Sequence, residues 1–215
     1  MMQTIVSIDF DIIMAPSINL YNNIVPAISW ANLEDDPYFQ LLKIDATHYQ
    51  KILGYIMKCI KVLPKDKIHF IEDHSQAVCF INDKCNLINI DHHHDIGYGP
   101  DILTQESPTC ANWVYYLYKN NYINTYTWIN NDNSIAPEDN NQLVPIITHG
   151  LRNFDLMEFE VPEELIICLS EPWTPPYIRP LFYTIMDICN KYYDTHFDIL
   201  MGPYLQNHEG GTKHT

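Results

Sequence analysis

Apolar residues occur along this chain in short blocks, and each block stops at a polar cluster. Residues 4–8 (TIVSI) are β-branched and end at Asp9-Phe10-Asp11. Residues 67–71 (KIHFI) end at Glu72-Asp73-His74-Ser75, residues 86–90 at Asp91-His92-His93-His94-Asp95, and residues 165–169 (LIICL) at Ser170-Glu171-Pro172. Runs of this length and composition predict buried strands. Residues 125–129 (TYTWI) predict another, and 77–81 and 144–148 read as further short strands. Between them the period changes from two to nearly four. Ile52, Ile56 and Ile60, with Leu53 and Met57 beside them, predict a helix over 47–62, opened by a capping box at Thr47-His48-Tyr49-Gln50 and ended by Pro64. Ser107-Pro108 reads as an N-cap followed by proline in the first turn, opening a helix to about residue 120 with Cys110, Trp113, Val114, Leu117 and Tyr118 as its stripe. Pro175-Pro176 open a last helix to about residue 193. Strands alternating with helices predict a three-layer α/β/α sandwich with a mainly parallel sheet. One domain over 1–206 is expected, with a frayed tail at 207–215. Residues 12–45 and 130–142 lack periodicity and read as long loops, which in compact domains are usually functional.

Charge narrows the function classes. The 215 residues carry 27 Asp and Glu against 12 Lys and Arg, a formal net charge of −15. Phosphate backbones demand the opposite sign, so nucleic acid is not an expected partner. The balance suits a metal or a cationic substrate, although acidity is more often a matter of solubility. Six cysteines (59, 79, 85, 110, 168 and 189) form no C-x-x-C pair. They read as reduced thiols in a cytoplasmic protein. The first residues lack the basic start of a secretory signal, and no apolar run is long enough to span a membrane.

The polar clusters carry the chemistry. In an extended segment alternate residues face the same side, so Asp91, His93 and Asp95 aim two carboxylates and an imidazole at one place, with His92 and His94 turned away. Asp9 and Asp11 repeat the arrangement with two carboxylates. Strand ends of a parallel sheet share one edge, which brings His74 to the same region. A lone histidine in such a run is more often a packed core residue. The whole set of Asp9, Asp11, His74, Asp91, His93 and Asp95 is enough for two divalent cations about 3.5–4 Å apart. Oxygen and imidazole donors together suit manganese, iron or zinc better than calcium. So many carboxylates without a cation would repel one another strongly.

These motifs resemble those of the arginase/ureohydrolase superfamily, whose metal ligands lie in D-H-S, D-x-H-x-D and S-x-D-x-D segments. Here they are Asp73-His74-Ser75, Asp91 to Asp95, and Ser7-Ile8-Asp9-Phe10-Asp11. The resemblance implies an α/β/α fold and two Mn2+ per chain. His74, Asp91, Asp95 and Asp9 would hold one, and His93 and Asp11 would complete the other, with Asp91 and Asp9 shared. One departure is order: S-x-D-x-D comes first here and late in ordinary arginases. With Glu72-Asp73-His74 and Cys110-Ala111-Asn112-Trp113, that order is similar to the peptide arginases of ribosomal natural-product pathways. Those enzymes convert arginine side chains of a precursor peptide to ornithine and release urea.

By the same resemblance Glu171 receives the substrate guanidinium, a planar group suited to bidentate pairing. The expected catalytic set is then Glu171, Asp91 and Asp9, with Asn112 and Trp113 lining the substrate pocket. The family's proton-shuttle histidine has no counterpart, leaving His92, His94, His149 or solvent for that role. Glu34, Asp35, Asp36, Glu138 and Asp139, with Trp30, are loop residues able to hold an extended peptide. The expected partner is an arginine-containing precursor peptide, with no nucleic acid and no membrane, and a homo-oligomer left open. Three rival readings stand beside this one: action on free arginine or agmatine, deacetylation of acyl-amines with a single zinc, and a degenerate binder of cationic peptides.

Overall fold

The computed structural model describes residues 2–15, 43–97, 106–132, 134, 143–171 and 173–201. Trp30, Glu34, Asp35, Asp36, Glu138, Asp139 and the tail 207–215 lie outside these residues, as does most of the 12–45 loop.

In chain order the strands are β1 (Gln3–Asp9), β2 (Met14–Ala15), β3 (Lys43–Ile44), β4 (Ile68–Ile71), β5 (Cys85–Ile90), β6 (Ile123–Asn130), β7 (Ile146–Gly150), β8 (Glu164–Cys168) and β9 (Ile199–Leu200). The helices are α1 (Ala46–Ile60), α2 (Trp113–Lys119) and α3 (Arg179–Tyr193). Seven strands form one open sheet in the order β7-β6-β5-β1-β8-β4-β9, parallel at every pairing. β2 and β3 make a separate small antiparallel pair.

The first strand of the chain is therefore the middle strand of the sheet, buried from Ile5 to Asp9. Strands covered on both faces need apolar side chains in both directions, and β1 has them. Val6 and Ile8 pack with Phe70, Ile88, Ile167 and the helix residues Ile52, Ile56, Phe182 and Ile185. Ile5 faces the other layer, with Leu87, Trp128, Ile166 and the α2 residues Trp113, Val114 and Leu117. Each buried aliphatic contributes about 1.5–3 kcal/mol. A one-residue slip of β1 would exchange Val6 and Ile8 for Ser7 and Asp9, so the register is strongly set. The three-layer α/β expectation holds, with a sheet that is wholly parallel.

Several local expectations change. Asp45, not Thr47, caps α1, its carboxylate accepting from Thr47 N at 2.9 Å and His48 N at 3.0 Å. An aspartate two residues earlier takes the orphan amides first. Residues 77–81 do not form a strand. Asp73 and Gln76 make a reciprocal capping box that winds His74–Phe80 into a 3-10 helix. α2 starts at Trp113 rather than at Pro108, because the Asn112 side chain accepts from Thr109 N at 2.6 Å and tightens that segment into a turn. α3 starts at Arg179 after a turn, with Pro180 in its first turn, where a missing N–H costs nothing.

Candidate metal centre

The four central strands β5, β1, β8 and β4 end side by side, and their polar ends converge. Asp9 is the last residue of β1. Its carboxylate accepts from Asp11 N at 3.1 Å and turns the chain into a short 3-10 helix, Phe10–Ile13. Asp11 thus reaches the site through a turn, not through strand alternation. The same holds beyond β5: Asp91 Oδ1 accepts from His93 N at 2.8 Å, and Asp95 is held at φ 51°, which aspartate tolerates better than most side chains. His74 opens the 3-10 helix after β4.

The donor atoms fall into overlapping groups. His74 Nδ1 stands 3.2 Å from Asp9 Oδ2, 3.2 Å from Asp91 Oδ2 and 3.0 Å from Asp95 Oδ2. His93 Nδ1 stands 3.0 Å from Asp11 Oδ2 and 3.9 Å from Asp91 Oδ1. Asp91 turns one oxygen to each imidazole. All six predicted ligands are brought together, and all but His93 are almost fully buried.

The supports come from β1, β5, β6 and α2. His74 Nε2 meets Ser7 Oγ at 2.8 Å. With Nε2–H donated to Ser7, the Nδ1 lone pair faces the carboxylates, the arrangement that orients an imidazole for a metal. Asn89 Nδ2 donates to Asp91 Oδ2 at 2.9 Å, and Trp113 Nε1 donates to Asp95 Oδ2 at 2.6 Å. Trp128 Nε1 donates to the Asp91 carbonyl at 2.9 Å. His94 Nδ1 accepts from Ile96 N at 3.2 Å, and His92 Nδ1 lies 3.4 Å from Ser134 Oγ. Burial, aided by the neighbouring His93, lowers His94 to about 4, and burial lowers His92 to about 4, so both rings are neutral supports.

Burial and crowded like charges perturb the titration of this cluster. Burial, with the charges of Asp11 and Asp91, raises Asp9 to about 7. Burial, with Asp95 and Asp11, raises Asp91 to about 8. Burial disfavours charge on His93, but its hydrogen bond to Asp11 and the charges of Asp11 and Asp91 outweigh that and raise it to about 9. Burial likewise opposes charge on His74, and the acidic groups around it, Cys168 and Asp9 foremost, raise it well above its ordinary value. Protons here stand where cations belong. They do so poorly: His74 Nδ1 is buried and makes no well-formed hydrogen bond despite three carboxylate oxygens around it. An imidazole nitrogen and carboxylate oxygens converging on one point, without the angles of hydrogen bonds, fit a metal ion. Asp11, Asp91 and His93 form one such group, His74, Asp91 and Asp95 a second, and Asp9, His74 and Cys168 a third. These buried clusters can hold a metal ion.

No family model matches the chain, and comparisons with curated proteins and with solved structures return no match either.

The residues expected to touch substrate have other places. Trp113 is fully buried, its indole tilted against the His74 ring at 4.9 Å, and it holds Asp95, so it backs the cluster. Asn112 is also buried and spends its amide on the turn at 107–109, its Oδ1 on Thr109 N and its Nδ2 on Ser107 O. Glu171 follows β8 as expected, yet its Oε1 is paired with Arg179 Nη2 at 2.7 Å. Arg179 also donates to the carbonyls of Glu171 and Thr174. His149 is exposed at the end of β7 against Phe154. Sequence reasoning gave no role to Ser7, Asn89, Trp128, Cys168 or Arg179. Ser7 lay within the quoted S-x-D-x-D segment; the others carry no signal short of the fold. At the margin of the site, His93 is 22% exposed and packs 5.0 Å from the half-buried Trp173 ring.

Proposed function

We propose that the chain is a dimetal hydrolase of guanidinium groups, converting arginine side chains of a precursor peptide to ornithine with release of urea. The observation that carries this is Asp91, whose two oxygens face His74 on one side and His93 on the other. That arrangement supports two cations sharing one carboxylate, and four carboxylates balance two divalent charges. Two Mn2+ ions bound there would supply Lewis acidity and a hydroxide near neutral pH.

The chain's own residues do the rest. Asp9, Asp11, His74, Asp91, His93 and Asp95 would hold the two ions. Ser7 and Trp113 hold His74 and Asp95 in orientation. Trp173 and the exposed edge of His93 mark the side from which a side chain enters. Glu171 positions the planar guanidinium so that one face of its carbon is presented for attack. Arg179 already occupies that carboxylate, so substrate binds by exchanging one guanidinium for another. The same pairing favours one second reading, a metal-binding protein whose guanidinium site is filled by its own arginine.

The deciding experiment incubates the chain with manganese and arginine-containing peptides, with free arginine and agmatine in parallel, and reads ornithine by mass and urea by assay. Asp91→Ala is expected to lose metal and turnover together. No turnover of any guanidino compound with manganese, iron or cobalt supplied would sink the hydrolase reading, and retained metal binding in that case would leave the second.

A further inference from the structure

Cys168 ends β8 directly opposite Asp9 of β1, and it is completely buried. Its sulfur belongs to one group of possible ligand atoms with Asp9 and His74, all within 4.8 Å of one another. One ion with bonds of about 2.0–2.3 Å spans such a set after a small inward shift of the sulfur. The buried cysteines 59, 85 and 189 join no such group among the described residues. Two further features set Cys168 apart. Ser170 is held at φ 53°, a left-handed conformation uncommon for serine, and its N–H donates to Cys168 Sγ at 3.3 Å. Independently, His74 Nδ1 is buried among three carboxylate oxygens without a well-formed hydrogen bond.

We propose that Cys168 is a thiolate ligand of this centre, so that the position shared with His74 and Asp9 takes zinc, cobalt or ferrous iron in preference to manganese. Thiolate sulfur is a soft donor, and it selects such ions over those that prefer oxygen alone. Ligation replaces the S–H bond with a sulfur–metal bond and releases one proton to solvent. The Cys168 thiol donates to the Glu72 carbonyl at 3.7 Å, a contact that ligation would replace. The inference rests on the metal-centre reading and not on guanidinium chemistry. It replaces manganese at one position and leaves the all-oxygen-and-imidazole position to any of these ions.

The test uses the full metal-stripped chain in a Cys79→Ser background, because Cys79 is the exposed thiol. Cobalt(II) is added and the absorption spectrum recorded. A sulfur-to-cobalt charge-transfer band in the near ultraviolet is expected beside the ligand-field bands. Cys168→Ser is expected to keep the ligand-field bands and lose the charge-transfer band, while Cys189→Ser keeps both. In zinc–manganese competition, Cys168→Ser is expected to shift preference toward manganese by at least about 10-fold. If Cys168→Ser fails to fold, X-ray absorption of the zinc-loaded chain decides through a sulfur neighbour at about 2.3 Å. Cobalt bound without the charge-transfer band, a band that survives Cys168→Ser, or no sulfur neighbour overturns the inference alone. No metal bound at all overturns both it and the metal-centre reading. Sulfur ligation without guanidino turnover upholds it and defeats only the hydrolase reading.

Discussion

Two buried tryptophans donate to neighbouring parts of the cluster, and replacing each by phenylalanine separates metal support from packing. Trp113 donates to the carboxylate of Asp95 at 2.6 Å, and Trp128 donates to the backbone carbonyl of Asp91 at 2.9 Å. Both are fully buried, and both changes delete the same ring atoms. The packing loss is therefore similar, and smaller than the ~3–5 kcal/mol of a Trp→Ala truncation. The polar losses differ. A hydrogen bond to a charged group is worth about 1.5–3 kcal/mol, and a neutral one about 0.5–1.5 kcal/mol. The first falls on a metal-ligand oxygen, and at about 1.4 kcal/mol per decade it amounts to a 10- to 100-fold loss of metal affinity. Trp128→Phe should leave metal affinity within a few-fold of the parent. Isothermal titration with manganese and with zinc at fixed pH measures the affinities, and urea unfolding in chelator measures the packing cost. Equal metal affinities in the two variants would refute the assignment of Asp95 as a ligand held by Trp113.

Other outcomes follow from the same contacts. Ser7→Ala leaves a buried imidazole N–H unpaired, and it should weaken metal binding about 10- to 100-fold while lowering stability in chelator by about 1–3 kcal/mol; titration and urea melts report each. Arg179→Lys cannot serve the Glu171 carboxylate and the carbonyls of Glu171 and Thr174 together, so stability should fall by about 1–3 kcal/mol, or several degrees in melting temperature; an unchanged melt would contradict this. For pH, Asp9 is raised to about 7, Asp91 to about 8 and His93 to about 9 in the folded chain, so the native state binds more protons than the unfolded one between about pH 6.5 and 9, while below that range the lowered His92 and His94 offset the raised carboxylates. The metal-free chain should therefore lose stability as pH rises through that window. Metal displaces those protons, so the stabilisation produced by metal should grow from pH 6 to pH 8.5, and a gain independent of pH in thermal melts would count against the site.

The parts of this site that the sequence carries are those with a short period. Ser7, Asp9 and the apolar residues around them alternate, and Asp91 follows an apolar run, so strand ends and ligand types could be read together. The route by which Asp11 and His93 arrive could not. Both sit in turns set by the carboxylates of Asp9 and Asp91, and extended alternation happens to select the same residues. Trp113 was legible as core, since it lies on the α2 stripe, but not as the partner of Asp95, because that contact joins two elements across a segment of no regular pattern. Cys168 is invisible without the register of β1 on β8, which pairs positions far apart in the chain. Arg179 lies eight residues beyond Glu171, past a turn and three prolines, and no propensity rule sends a guanidinium back to that carboxylate.

The order of the motifs loses its importance once β1 is placed. A parallel sheet fixes which strand ends are neighbours, and chain order enters only through the crossovers. β1 lies between β5 and β8, so Asp9 sits between the Asp91 segment and the Glu171 segment wherever its strand falls in the sequence. Its neighbours are contributed by strands that begin at Cys85 and Glu164. β1 leads to Asp9 and Asp11 and β5 to Asp91 and Asp95, so the four carboxylates meet only where these two strands pair. Assembly buries Asp9, Asp11, Asp91 and Asp95 together, and only protons or cations can hold them there. The cost of the buried carboxylates and the affinity for metal are then one property of the centre, and its place at the middle of the sheet ties both to the folding of the whole chain.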